Sequence, residues 1–320
     1  MVRRACSVLI VLLVLAGCGS AGDASSGRAP EPVQLALDFT ANAVHAPLFA
    51  ARRTGADRRH GVALTIRRPG AGPDALKLVA SGRLDLGVLD IHDLALAREK
   101  GIDVVAVGAL VAKPLAALVA RANVRRPRDL EGRTVGVSGL PSDPAFVGAM
   151  LQHDGASLAQ VRQVTIGFNS VQALFTGRVD AAPVFWNAEG VALKRRHVAV
   201  REFRVEDYGA PAYPEVVLFT ARRTLERERD RLRRALQAIA DGERAVAADP
   251  QTAVTEIARE AQTGDRGLIA AQLAAVGPIF APGLKLDRPV LERWAAFDAR
   301  IGIVKRRPDV SKAFDFSLLG

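Results

Sequence analysis

The sequence predicts an α/β protein of two lobes with a ligand cleft between them, and three observations carry that reading. Its 320 residues exceed one ordinary small domain and suit two. Short apolar runs of strand length alternate with helical stretches in two separate series. Gly55, Gly61, Gly82 and Gly101 sit at the joints, where helices stop and loops begin. With 49% apolar and 24% charged residues, the composition excludes a disordered chain and a polytopic membrane protein.

In the first series, residues 33–39 alternate apolar and polar as a strand, and 45–53 read as a helix. Residues 62–67 form a strand, 73–81 a helix, 84–89 a strand, 91–100 a helix and 103–109 a strand. This βαβ alternation predicts a mostly parallel sheet covered by helices. The second series follows Pro127, with strands at 134–137, 161–166 and 181–185 and helices at 143–152, 171–175 and 188–195. Apolar stretches 115–120 and 216–220 read as the segments that cross between lobes, leaving a cleft. Beyond Leu225, Leu232, Leu236, Ile239 and Val246 share one helical face, and further helices at 252–261, 266–276 and 289–301 complete the first lobe. The resulting division is lobe 1 from residues 33–115 and 217–320, and lobe 2 from 116–216.

The N-terminus reads as an export signal. Arg3 and Arg4 precede an apolar stretch over residues 5–15, too short to span a bilayer, and LAGC (residues 15–18) closes it with small residues and a cysteine. LAGC resembles the bacterial lipobox, which implies cleavage after residue 17 and a lipid on Cys18, placing the protein outside the cytoplasm on a lipid anchor. Residues 18–32, rich in Gly, Ala, Ser and Pro, form a tether.

Several chemistries are set aside. Cys6 and Cys18 are the only cysteines, so the folded body has neither a disulfide framework nor a cysteine nucleophile. HExxH, GxSxG and metal-spaced His/Asp patterns are absent, and Gly70-Ala71-Gly72-Pro73-Asp74 lacks the residues of a phosphate loop. No catalytic residue, metal or cofactor is expected. The net charge of +10 is spread over doublets such as Arg52-Arg53, Arg125-Arg126 and Arg233-Arg234, interspersed with acids and without a nucleic-acid-binding signature.

Binding residues are sought at strand ends and loops. Aromatic residues are only 5% of the chain, yet Phe185, Trp186, Phe203, Tyr208 and Tyr213 fall in one segment. Trp186 and the two tyrosines carry polar tips and suit a cleft wall that stacks a flat ligand, whereas Phe185 and Phe203 suit core or cleft equally. Asn187 and Glu189 follow Trp186; a carboxylate beside aromatic shelves accepts N–H bonds from an aminated heterocycle, or alternatively favours the first turn of its own helix. Asn42 and His45 follow the first strand, where His45 is either a ligand contact or a satisfied cap. Ser142 opens a helix as an N-cap whose neighbouring N–H groups could meet a ligand acceptor.

These segments resemble the substrate-binding proteins of bacterial ABC importers for thiamin pyrimidine precursors, a superfamily that includes the fungal enzyme making that pyrimidine. LDFTANAVHAPLFAARRTG (37–55), PGAGPDALKLVASGRLDLGV (69–88), DLEGRTVGVSGLPSD (129–143), GFNSVQALFTGRVDA (167–181), FWNAEGVAL (185–193) and EDYGAPAYPEVVL (206–218) run in family order. The resemblance implies a type II periplasmic-binding-protein fold, a pyrimidine in the interlobe cleft, and a permease and ATPase as partners of a monomeric protein. It places the ligand near Phe39, Asn42, His45, Pro141, Ser142, Trp186, Asn187, Glu189, Tyr208 and Tyr213. Asp90, standing where small polar or aromatic residues are common, joins the set, and Thr40-Ala41-Asn42 lacks the family's usual proline. Another small ligand (riboflavin, a sulfonate or another heterocycle) and a pyrimidine-synthase activity are the alternatives; the fungal enzyme's cysteine-rich loop corresponds here to cysteine-free residues 208–214.

Overall fold

The computed structural model describes residues 29–68, 74–140 and 142–319. The leader, Cys18, most of the tether and Pro141 lie outside the described residues. Two five-stranded sheets organise the chain. Strands β1 (Glu31–Ala36), β2 (Val62–Arg67), β3 (Leu86–Asp90) and β4 (Val104–Ala109) belong to the first. The second holds β5 (Ala116–Arg121), β6 (Thr134–Val137), β7 (Arg162–Thr165), β8 (Ala181–Phe185) and β9 (Val200–Arg204), and β10 (Val216–Ala221) returns to the first. The orders are β2-β1-β3-β10-β4 and β7-β6-β8-β5-β9.

Both sheets are mixed, which corrects the mostly parallel expectation. Strand β1 pairs parallel with β2 and β3, but β10 runs antiparallel between β3 and β4. Likewise β6 is parallel to β7 and β8, and β5 is antiparallel to β8 and β9. The apolar stretches read as crossing segments are therefore β5 and β10 themselves, inserted as central strands. The chain crosses just before each, at residues 110–115 and 209–215. Strand β9, Val-Arg-Glu-Phe-Arg, escaped the sequence reading because one buried phenylalanine is a thin apolar signal.

Glu215 ties the two crossings together. Its side chain is fully buried, and Oε2 accepts the backbone N–H groups of Leu115 (2.6 Å) and Ala116 (2.9 Å). Beside it, the Leu110 N–H donates to the Val216 carbonyl at 2.9 Å. A buried carboxylate persists only when such donors replace water.

The helix Arg229–Ala248 turns Leu232, Leu236, Ile239 and Val246 inward and packs on the helix Ala46–Arg53. Contact is close because Gly242 has no side chain: a Cβ there would lie 2.1 Å from the Pro47 carbonyl oxygen. The helix Arg266–Val276 touches both lobes, reaching the turn at Ala43–His45 and the turn after β8, where Gln272 donates to the Ala188 carbonyl at 3.2 Å. Many arginines are matched on the surface: Arg52 with Glu260, Arg53 with Glu256, and Arg234 with Glu31. Among the described residues, no helix is long and apolar enough to cross a membrane.

Candidate functional site

A cavity of about 360 Å³ lies between the sheets. Its residues come from the carboxyl ends of strands in both lobes, where the strand order of an α/β sheet reverses and leaves a crevice. Asp38 and Phe39 follow β1, Asp90 ends β3, Ser138 follows β6 and Phe185 ends β8. The long walls are phenylalanines. Phe39 of the first lobe meets Phe168 of the second edge to face, ring centroids 4.7 Å apart, and Phe146 and Phe185 add further faces.

Asn42 lines the cavity and caps the turn Ala43–His45, its Oδ1 accepting the Val44 N–H at 2.9 Å. His45 is buried behind it. Nδ1 accepts the Asn42 N–H at 3.2 Å, so Nε2–H donates to Asp38 Oδ1 at 2.8 Å. His45 is thus a satisfied cap that orients Asp38, and Asp38 faces the cavity.

Ser142 does not cap with its side chain; it hydrogen-bonds Asp93 of the first lobe. Asp143 holds the loop instead, Oδ2 accepting the Ser138 N–H (2.6 Å), the Ser138 hydroxyl (2.7 Å) and the Gly139 N–H (3.2 Å). Burial and the nearby Asp143 charge push the Asp93 carboxyl up to about 6.

Strand β8 runs into one π-helical turn, Trp186–Gly190, before the helix Val191–Arg195, where an ordinary helix was expected from residue 188. Such turns often re-aim side chains at functional sites. Glu189 reaches the cavity while its Oε2 accepts the Phe185 N–H at 3.1 Å. Glu189 thus stands in the first turn after β8 and lines the cavity as well. Burial raises its carboxyl above the usual range.

Four other candidates lie elsewhere. Trp186 is buried behind the wall, its indole N–H donating to the Pro114 carbonyl at 3.1 Å and its ring covered by the Arg204 guanidinium at 4.1 Å. Asn187 is fully buried, and its amide atoms have no hydrogen-bond partner among the described residues. Tyr208 packs against His153 and Phe203 and is not among the residues lining the cavity. Tyr213 is fully buried, stacks on Phe297 and shares a 3.0 Å hydrogen bond with His92 Nε2. The aromatic rings that line the cavity are therefore Phe39, Phe146, Phe168 and Phe185. The correction has a simple cause: a polar tip on an aromatic ring is satisfied as well by buried backbone or histidine as by a ligand.

Asp90 does line the cavity, caps the helix Ile91–Glu99, and belongs to a cluster that local spacing could not show. His92 Nδ1 lies 2.8 Å from Asp298 Oδ1, and Nε2 lies 3.6 Å from Glu215 Oε1. The Trp294 indole N–H is 3.3 Å from the same Nδ1, but an Nδ1 that donates to Asp298 cannot accept from it, and the shorter charged contact prevails. Burial by itself would lower His92, yet Asp298, Asp90 and Glu215 outweigh it and push the imidazole up to about 10. Burial, with Glu215 adding repulsion, drives the Asp90 carboxyl well upward, and burial raises Glu215. The Asp-Ile-His-Asp run after β3 was the available signal; Glu215 arrives from the antiparallel neighbour, paired at Val216 with Asp90.

Comparison with known proteins follows this geometry. The family described as NMT1/THI5 like matches residues 42–253. The chain is 34% identical over 217 residues to a formylaminopyrimidine-binding protein of Halalkalibacterium halodurans, covering 67% of this chain and 66% of that protein. It is 28% identical over 169 residues to a 4-amino-5-hydroxymethyl-2-methylpyrimidine phosphate synthase of Legionella pneumophila, covering 51% and 52%. Each match thus spans less than two thirds of the relative's own length. Among solved structures, the alkanesulfonate-binding protein of Xanthomonas axonopodis bound to MOPS superposes with a TM-score of 0.72 at 17% identity, covering 90% of this chain and 99% of that one. The periplasmic aliphatic sulphonate binding protein of Escherichia coli gives 0.71 at 18% identity, covering 89% and 92%. At these identities the likeness shows the fold alone, that of periplasmic binding proteins.

Proposed function

Since the chain belongs to the NMT1/THI5-like family, we propose that it is a solute-binding protein holding an aminated pyrimidine of the formylaminopyrimidine type between its lobes. The observation that carries the reading is Glu189, a half-buried carboxylate at the wall of a cavity faced with phenylalanine rings. A flat ring is held by the aromatic faces, and an amino group donates to the carboxylate. The lining also speaks against an anionic ligand. Among the described residues it includes the carboxylates of Asp38, Asp90, Asp93, Asp143, Glu189 and Glu215 and no arginine; its cations are His92, already held among those carboxylates, and the exposed Lys77 and Lys100. A sulfonate needs the opposite, charge-assisted donors at its oxygens.

Binding without turnover is the reading favoured over the synthase activity named for other relatives. The 34% identical relative is named a binding protein, and residues 208–214 carry no cysteine. On this reading the protein works as a monomer outside the cytoplasm, is anchored by lipid on Cys18, and hands its ligand to an ABC permease driven by an ATPase, without nucleic acid. Mass spectrometry of the small molecule released on denaturing freshly purified protein tests it. An aminopyrimidine is expected; a sulfonate or a flavin contradicts the reading. Incubation with pyridoxal phosphate and iron should yield no pyrimidine, and stoichiometric pyrimidine formation would favour the synthase.

A further inference from the structure

We propose that Asp90, His92 and Glu215, at the floor of the cavity, form a binding site for one divalent metal ion whose open side faces the ligand space. One ligand atom from each of the three lies within 4.8 Å of the others. All three border the cavity, and adjacent elements fix them: Asp90 ends β3, His92 follows in the first turn of the next helix, and Glu215 precedes β10. The Ile91 N–H donates to the Glu215 carbonyl at 2.9 Å, locking the two backbones together.

Two features distinguish this cluster from a chance meeting of acids. The first is how His92 is held. Asp298 takes Nδ1 at 2.8 Å, which turns Nε2 toward the Tyr213 hydroxyl at 3.0 Å and Glu215 Oε1 at 3.6 Å. A carboxylate behind a histidine is the outer partner that orients metal-bound imidazoles. The second is an acceptor left over. Glu215 is fully buried and its Oε2 is satisfied by two backbone N–H groups, whereas Oε1 has no donor at ordinary hydrogen-bond distance and meets only His92 Nε2 at 3.6 Å and the neighbouring Asp90 carboxyl. A buried carboxylate oxygen without a donor is costly, and a cation between Asp90, His92 and Glu215 satisfies it.

One imidazole and two carboxylates suit zinc, cobalt or manganese, and the two negative charges balance a divalent ion. Three protein ligands leave a position for a group from the cavity. Tyr213, now sharing a hydrogen bond with Nε2, passes that bond to a carboxylate oxygen when the cation takes the nitrogen. The competing occupants are protons shared among the same groups. The inference uses no property of the pyrimidine and stands or falls separately from that reading.

The test uses the tag-free full chain, dialysed against chelator and then titrated with Co²⁺ and Zn²⁺. The expected result is one metal per chain after gel filtration, with visible cobalt absorption of a low-coordinate nitrogen and oxygen site. Asp90→Asn keeps the cap on the His92 N–H but removes a charged ligand; it should weaken binding at least as much as Asp298→Asn, for which loss of the outer partner gives about 10- to 100-fold. Glu215→Gln, which keeps an acceptor for Leu115 and Ala116, is the second ligand variant if the first does not fold. A wild-type chain that retains no metal overturns the proposal. So does metal bound equally by wild type and the ligand variants, since the ion is then held elsewhere, for instance by Cys6 and Cys18. Titrating chelator-treated protein with formylaminopyrimidine separately keeps a failure of this site distinct from a failure of the pyrimidine reading.

Discussion

Phe185 and Trp186 are neighbours with opposite duties. Side chains alternate at the end of a strand, so one ring faces the cavity while the next turns away and binds the Pro114 carbonyl. Trp186→Ala should therefore act on stability, costing about 3–5 kcal/mol as a buried aromatic truncation, read from denaturant unfolding. Phe168→Ala should do the reverse. Its ring is 48% exposed, so stability should change by about 1 kcal/mol or less, while affinity for a flat ligand drops in calorimetry. Asn42, Asp90 and Glu189, singled out in the sequence, all line the cavity, each on the turn or helix start that follows a strand. Sequence reasoning misjudged the tyrosines because their partners, His92 for Tyr213 and His153 for Tyr208, lie far away in the chain. Glu189 also carries a pH expectation. Burial raises its carboxyl, and a neutral N–H donor binds the ionised form best, so affinity should fall as pH drops and protonates Glu189. An affinity for a neutral donor that is flat across that range would mean the ligand does not contact Glu189.

At the level of elements, most helices and strands were legible from periodicity, β9 excepted, but strand order was not. The apolar run 216–220 has the length of a buried strand without saying that it inserts antiparallel between β3 and β4, because the pairing partners are distant in sequence. The same non-locality hid where the chain passes between the sheets, which is at the residues just ahead of the apolar stretches rather than within them. Helix packing offers a clean test of the described architecture. In Gly242→Ala the new Cβ would approach the Pro47 carbonyl oxygen at 2.1 Å and the Ala51 nitrogen at 2.7 Å, both backbone atoms unable to swing away. The two helices must separate, with an expected loss of about 1–3 kcal/mol in denaturant unfolding despite the better helix propensity of alanine. An unchanged or raised midpoint would mean that the helix Arg229–Ala248 does not pack as described.

The whole molecule joins two α/β bodies through paired crossings and lets them meet across the cavity at Phe39 with Phe168 and at Asp93 with Ser142. Lobes linked in this way move as rigid bodies about short connections. Ligand should compact the protein in solution scattering, and identical profiles with and without saturating ligand would place the site outside the cleft. On the proposed reading the cavity selects an aminated flat ring through Glu189, and calorimetry with formylaminopyrimidine and its des-amino analogue measures that selection. A hydrogen bond to a charged group contributes about 1.5–3 kcal/mol, so wild type should bind the aminated compound about ten- to a hundredfold more tightly, and Glu189→Gln should erase most of that difference. Equal affinity of wild type for both compounds, or a preference that survives Glu189→Gln, would contradict the claim.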